Sequence, residues 1–376
     1  MTLSVLHLVN HCEHGGNVHL AVDLACAQAA QGHRVGFASG GGRFVALLER
    51  CGVRHIRLEQ SLRTPARTAR AAASLASLCR RDRPDVLHAH MMSGAVLGRM
   101  VGTLLGIPLV TTVHNSFDRH AWLMRLGDRV VAVSRAEREL LLARGFPDGR
   151  LDVVVNGTLG SVRSTEEPTP SAFRLPRPCI TTLSGLERRK GVHDVIEAFA
   201  RVAASAPEWR LVVAGDGPER QALEQQAARS GCADRIAFIG HVETPSQVLV
   251  QTDIFVLASA AEPFGLGILE AREAGCAVVG TRVGGIAEQL DHDRHGTTVP
   301  PGRPDLLGDA LLRLMTDPAA IAEARRSARQ GLAYYRIDRM ASEYLAVYDA
   351  AIRVRNPAAR TGGLNLGTSS GRGKSG

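Results

Sequence analysis

The stretch Glu262-Pro263-Phe264-Gly265-Leu266-Gly267-Ile268-Leu269-Glu270 decides how this chain is read. It sets two carboxylates eight positions apart, on either side of a Phe-Gly turn that opens a helix. Residues 253–258 (DIFVLA), just before it, read as a buried strand. Just after it, Ala271-Arg272-Glu273-Ala274 extends the helix and residues 276–280 (CAVVG) read as the next strand. Strand, loop, helix and strand in this order form a βαβ unit, and ligands of open α/β sheets bind beyond the carboxyl ends of the strands. The helix start leaves the amides of Gly265, Leu266 and Gly267 without intrahelical acceptors, which favours an anion there. A phosphate beside two hydroxyl-accepting carboxylates points to a nucleotide sugar.

Outward from this unit the alternation continues in both directions. Strands are expected at 3–9, 34–38, 54–58, 85–89, 108–113, 129–133 and 151–155, interleaved with helices at 17–31, 43–51, 66–81, 92–105 and 135–144. After a stretch rich in Gly, Ser, Thr and Pro (156–178), strands at 179–183, 210–214 and 235–239 alternate with helices at 190–204 and 218–230. Alternation of this kind implies parallel sheets wrapped by helices. The expected organisation is a Rossmann-like domain over 1–160, a linker over 161–178, and a second Rossmann-like domain over 179–337. A final helix follows over 338–355, with Met340, Tyr344, Val347, Tyr348 and Ile352 at helical spacing. The tail 356–376 has no large apolar cluster, and its composition predicts disorder.

Bulk properties narrow the class. The 376 residues suffice for two full cores, and 45% hydrophobic with 22% charged is a globular composition. The most apolar run, 100–113, is interrupted by Gly, Thr and Pro, so no membrane span is expected. The opening strand TLSVLHLV lacks the basic start and cleavage motif of a leader. Seven cysteines (12, 26, 51, 79, 179, 232, 276) without a CxxC pair read as reduced thiols, which argues for the cytoplasm. Residues 1–175 carry 21 Arg, no Lys and 14 acids, a basic half that suits an anionic partner. Arg63, Arg67 and Arg70, continuing to Arg80 and Arg81, mark a basic helix face suited to anionic lipid. Aromatics are only 4% and no stacking motif accompanies the Arg residues, so nucleic acid is not expected.

The Glu-Pro-Phe-Gly-x4-Glu block resembles the Glu-x7-Glu signature of retaining glycosyltransferases of the GT-B fold, in glycosyltransferase family 4 (group 1). The resemblance implies two Rossmann-like domains facing a central cleft, with a terminal helix that crosses back onto the first domain. It assigns the ribose hydroxyls to Glu270 and a place beside the donor sugar to Glu262, with Phe264, Gly265 and Leu266 lining the donor site. It places Gly16, in the Gly15-Gly16 turn after the first strand, over the donor phosphates from the opposite domain. Gly240 and His241, in 236–242 (IAFIGHV), fall where the nucleobase is framed. His114, in 111–115 (TTVHN), falls near the anomeric carbon. Residues 211–218 (LVVAGDGP) match a turn that is architectural, and no chemistry is assigned to them.

The stretch 182–191 (TLSGLERRKG) departs from the family pattern. Gly185 stands where an Arg usually grips the diphosphate, while Lys190 remains in register, with Arg188 and Arg189 beside it. Lys190 is one of only two lysines against 43 arginines, the other being Lys374 in the tail. No DxD triplet stands at a strand end, so the reading requires neither a catalytic metal nor a cofactor beyond the donor, a UDP-sugar ahead of a GDP- or ADP-sugar. The expected activity is hexosyl transfer with retention to a saccharide or lipid-linked acceptor. The expected context is bacterial glycan, lipid-linked saccharide or glycoconjugate synthesis at the inner face of the plasma membrane. A sugar-nucleotide epimerase of the same fold, or a non-catalytic nucleotide-sugar-binding protein, are the alternative readings.

Overall fold

The computed structural model describes residues 2–60, 62–165, 174–291 and 293–355. The apolar runs of the first half pair as seven parallel strands: β1 (Ser4–Leu8), β2 (Arg34–Ser39), β3 (Arg54–Arg57), β4 (Val86–Ala89), β5 (Leu109–Val113), β6 (Arg129–Ala132) and β7 (Leu151–Val153). Their order is β3-β2-β1-β4-β5-β6-β7. The second half forms β8 (Cys179–Leu183), β9 (Arg210–Ala214), β10 (Ile236–Gly240), β11 (Ile254–Leu257), β12 (Ala277–Thr281) and β13 (Thr297–Val299). These lie in the order β10-β9-β8-β11-β12-β13, again parallel. Both sheets carry helices on both faces, which is why strands such as β4, β5 and β11 are buried at every position instead of alternating. These are two Rossmann-like α/β domains facing a cleft.

Strand order reverses between β1 and β4 in one sheet and between β8 and β11 in the other. Such reversals open a crevice at the strands' carboxyl ends. The two crevices face each other.

The helix Ile337–Arg355 packs on the first sheet, not the second. Its Ile337, Met340, Tyr344, Val347 and Tyr348 form one core with Val5, Val86, Val110, Val131 and Val154. The chain reaches it beside the other crossing between domains, with Thr158 N donating to Tyr335 O at 3.0 Å and Ile337 N to Leu159 O at 3.0 Å. Between the domains, Phe264 and Leu269 pack with Val133, Val155 and Tyr335, and Ser134 Oγ donates to Pro263 O at 2.6 Å.

Several expected boundaries move. The helix expected from 190 begins at Val192, preceded by a single 3₁₀ turn Arg188–Lys190. Gly191 separates them with φ of 67°, and a Cβ there would lie 1.9 Å from Ala258 O, so only glycine fits. Between β12 and the last helix the structure adds β13 and helices Gly284–Leu290, Pro304–Thr316 and Pro318–Ala328, the last two carrying Pro in the first turn. Arg63 precedes the helix Pro65–Asp82, while Arg67, Arg70, Arg80 and Arg81 are exposed along it. Among the described residues, no helix is long and apolar enough to cross a membrane. The tail 356–376 and linker residues 166–173 lie outside the described residues.

Candidate active site

A cleft of about 790 Å3 runs between the two crevices and is lined from both domains. From the second domain come Glu262, Phe264, Gly265, Leu266 and Glu270, with Ser184, Gly185, Arg189, Lys190, Asp216 and His241. From the first domain come His14, Gly15, Gly16, Arg43, His114 and Asn156.

The loop after β11 is shaped by its neighbours. Gly284 has φ of 43°, and a Cβ on it would lie 2.0 Å from Glu262 O, so the chain can pass the loop only as glycine. Gly285 N donates to that same carbonyl at 3.1 Å, and Gln289 Nε2 donates to Phe264 O at 2.5 Å and Gly265 O at 3.2 Å. The loop is thus pinned before the helix Leu266–Ala274 begins. No side chain caps that helix or the helix Gly16–Ala30 across the cleft; glycines 265 and 15 hold the cap positions. Two uncapped helix starts therefore present amides to one cavity, an arrangement suited to a diphosphate. They approach closely, since a Cβ on Gly16 would sit 2.8 Å from Leu266 Cδ1.

The two carboxylates are in different electrostatic states. Glu262 is 8% exposed, and its Oε2 accepts from Lys190 Nζ at 2.6 Å and from Ser259 Oγ at 3.0 Å. Glu270, one and a half turns into the helix, is half-buried and has no hydrogen-bond partner among the described residues. Burial pushes its carboxyl up from 4.5 to about 7; Arg163 pulls the other way, and Glu273 and Asp23 add to the rise. Arg163 itself is held by Asp23 through bonds of 2.9 and 2.7 Å.

The basic run divides. Lys190 and Arg189 line the cleft; Arg189 donates to Ala261 O at 2.6 Å, lies 3.8 Å from Glu262, and sits over the Phe117 ring at 5.0 Å. Arg188 does not. It is exposed and outside the cleft lining, which leaves Arg189 as the arginine of the pair that faces the expected phosphate site. A 3₁₀ turn has three residues per turn, so consecutive side chains diverge by about 120° and three in a row cannot share a target. Gly240 lies just outside the lining, and its carbonyl accepts from Gly215 N at 2.7 Å to join β9 and β10. Its neighbour His241 does line the cleft and meets His14 across it, ring to ring at 5.6 Å. Space around Gly185 is open, with nothing within 4 Å of a Cβ built there.

His114 follows β5 and lines the cleft from the first domain. Burial pushes its imidazole down to about 4, so the ring is neutral at physiological pH. Sequence reasoning missed what stands behind it. His90 Nδ1 lies 3.1 Å from His114 Nε2, and further histidines follow in β1 and β4. The available signal was a histidine inside otherwise apolar strands, SVLHL and VLHA, where a buried ring needs a partner. Sequence reasoning also missed the cross-cleft ion pair of Arg43 with Glu243, at 3.3 Å, and Asp216 in the lining.

Comparison with known proteins places this geometry. A family model described as glycosyl transferases group 1 matches residues 164–331, and one described as glycosyltransferase family 4 matches residues 14–158. Glycogen synthase of Mycobacterium tuberculosis is 30% identical over 272 residues, 66% of this chain and 64% of that protein, so the chain spans just under two thirds of that relative's length. N-acetyl-alpha-D-glucosaminyl L-malate synthase of Bacillus anthracis is 27% identical over 301 residues, 75% of this chain and 79% of that protein. HepE of Anabaena, solved in complex with UDP and glucose, matches with a TM-score of 0.79 over 93% of this chain and 100% of its own, at 21% identity. At that identity the likeness is one of fold.

Proposed function

Because this chain belongs to the group 1 glycosyl transferases of glycosyltransferase family 4, we propose that it moves a hexose-type sugar from a nucleoside-diphosphate sugar to a hydroxyl acceptor, with retention and without a metal. The observation that carries the reading is the convergence of Glu262, Glu270, Lys190 and two uncapped helix starts on one cleft. In this reading Glu270 holds the ribose hydroxyls and Glu262 stands by the sugar. Lys190, Arg189 and the amides at Gly16 and residues 265–267 hold the diphosphate. Transfer passes through an oxocarbenium-like state as negative charge grows on the leaving phosphate, and cations placed there lower its energy.

The Lys190–Glu262 bond sets how the charge is used. A diphosphate entering the cleft competes with Glu262 for the ammonium, so Lys190 is shared between them and Glu262 stays ordered beside the sugar. A cation beside one phosphate charge is worth about 4 kcal/mol at 4 Å and an effective dielectric of 20. With glycine at 185, Lys190 and Arg189 carry this work between them. Among donors a UDP-sugar is favoured; it fits the HepE structure, solved with UDP and glucose. The acceptor is a saccharide or lipid-linked hydroxyl, and the basic helix Pro65–Asp82 suits a role at an anionic membrane surface.

The test incubates the chain with UDP-, GDP- and ADP-sugars and a pool of bacterial saccharide and lipid-linked acceptors, following released nucleoside diphosphate and labelled product. Acceptor-dependent release, lost in Glu270→Ala together with nucleotide binding, supports the reading. Donor binding without turnover on any acceptor would replace it with a nucleotide-sugar sensor, the reading favoured by Gly185. Epimerised donor without acceptor would replace it with an epimerase.

A further inference from the structure

Behind the cleft, four histidines and a glutamine form one hydrogen-bonded line through the first domain. Gln28 Oε1 lies 2.9 Å from His7 Nε2, His7 Nδ1 lies 2.9 Å from His90 Nε2, and His90 Nδ1 lies 3.1 Å from His114 Nε2. At the far end Gln28 Nε2 donates to the Tyr348 hydroxyl at 3.1 Å. That hydroxyl lies 2.8 Å from His88 Nδ1, and His88 Nε2 lies 2.8 Å from Thr112 Oγ1. Gln28, His7, His88, His90 and Tyr348 are all buried. Burial pushes His7 down to about 4 and holds His88 and His90 well below the usual imidazole range, so each ring carries one proton.

One proton per ring makes the line directional. The Gln28 carbonyl oxygen can only accept, so His7 donates from Nε2 and its Nδ1 must accept. His90 then donates from Nε2 and accepts at Nδ1, and His114 donates from Nε2. The line ends at His114 Nδ1, a buried nitrogen with no partner within the protein. The reverse order, with the Gln28 amide turned over, would place an N–H at that nitrogen with no acceptor, and an orphaned buried N–H is the rarer and costlier defect. In the forward order the Tyr348 hydroxyl is satisfied, accepting from the amide nitrogen at 3.1 Å and left free to donate to His88 Nδ1 at 2.8 Å.

We propose that Gln28 is a positioning residue for the transfer reaction. Through His7 and His90 it fixes His114 as the neutral tautomer protonated on Nε2, so that the ring lining the cleft keeps a bare Nδ1 and has no proton there to give the leaving phosphate. This rests on the proposed function and on the position of His114 in the lining of the same cleft as Glu262 and Lys190. The same cluster could be taken for a metal site, since His7, His88 and His90 offer nitrogens within 4.8 Å of one another. All six of their ring nitrogens, however, are already engaged in hydrogen bonds.

The test is nitrogen NMR of the full chain carrying ¹⁵N-histidine, with His114 identified by its loss in His114→Ala. The expected spectrum shows His114 and His90 protonated on Nε2 and bare on Nδ1 across pH 6–8. Gln28→Leu removes the acceptor that orders the line. Both tautomers of His114 should then appear, and kcat should fall about tenfold, the equivalent of one hydrogen bond, with donor KM unchanged. Gln28→Glu keeps an acceptor for His7 and should restore both the tautomer and most of kcat, which a merely structural glutamine would not do. Tyr348→Phe frees the amide to turn and should also mix the tautomers, which keeps the test open if Gln28→Leu does not fold. A wild-type His114 protonated on Nδ1 would overturn the proposal, as would a Gln28→Leu chain with unchanged tautomer and kcat, or stoichiometric loss of the ring signals on adding zinc. Full activity in His114→Ala would instead overturn the placement of His114 and leave the tautomer result standing.

Discussion

At the crevice between β1 and β4 the lining brings glycine amides and the neutral His114 imidazole, with Glu13 and Arg43 as its charged side chains. At the crevice between β8 and β11 it brings Lys190, Arg189 and the carboxylates of Glu262, Glu270, Asp216 and Glu243, on the same strand order and the same strand-loop-helix plan. The difference lies in what each backbone is asked to hold. The first crevice offers mainly uncharged hydrogen-bonding groups, and it is stiffened from behind by the histidine line and the terminal helix. In the proposed reaction the second places formal charges where charge develops on the donor. On that proposal two similar scaffolds divide one reaction, and each half can be perturbed separately.

The largest effect is expected at the charged crevice. Lys190→Ala should lower kcat by about a hundredfold to a thousandfold, or about 3–4 kcal/mol of transition-state stabilisation. Lys190→Arg should recover part of it, because charge returns in a different shape. Steady-state kinetics decide this, and an unimpaired Lys190→Ala would erase the contrast between the crevices. Next comes the neutral side. Gly16→Val pushes against Leu266 and should lower kcat on the order of tenfold or more by spreading the two helix starts. A loss confined to KM would instead assign Gly16 to uniform donor binding.

The third effect is a pH trend. Glu270 titrates near 7, so donor affinity should weaken by up to about tenfold per unit as pH falls below that value. Calorimetry with a UDP-sugar, whose phosphates do not titrate in this range, measures it. The sign for stability is opposite. A carboxyl raised from 4.5 to about 7 favours the folded state at low pH, and that contribution is lost as pH rises through the folded value. Glu270→Gln should flatten both trends; a persistent affinity trend in that variant would move the titration elsewhere. The smallest effect is at Arg188, where replacement by Ala should change stability and kcat by no more than about 0.5 kcal/mol. A tenfold loss there would return it to the phosphate grip.

The sequence made the charged crevice readable and left the neutral one obscure, for a physical reason. Glu262, Glu270 and Lys190 lie in local motifs, where spacing along one loop and one helix start already determines direction. The histidine line joins β1, β4 and β5 with a helix from each end of the domain, so it exists only once parallel strands settle into register, with His7 opposite His88. The direction of Arg188 is not legible in sequence, because a tight turn, not a helix start, carries the basic run. Nor is the bond by which the Gly240 carbonyl serves the sheet. The central strands are legible within a residue or two, since continuous burial makes β4, β5, β11 and β12 nearly unbroken apolar runs. The region between β12 and the last helix was not resolved into elements from sequence.

The helix Ile337–Arg355 has a consequence for how the chain is made. It supplies one covering layer of a sheet whose last strand, β7, ends at Val153. At a synthesis rate of 5–20 residues per second, the ribosome needs roughly ten to forty seconds to cover the intervening distance of about 200 residues. Throughout that interval Val5, Val86, Val110 and Val131 lack the cover of Met340, Tyr344, Val347 and Tyr348. The domain built on β1–β7 therefore emerges before the one built on β8–β13 but is completed after it, and the nascent chain carries an apolar surface that chaperones can hold until the helix Ile337–Arg355 is made.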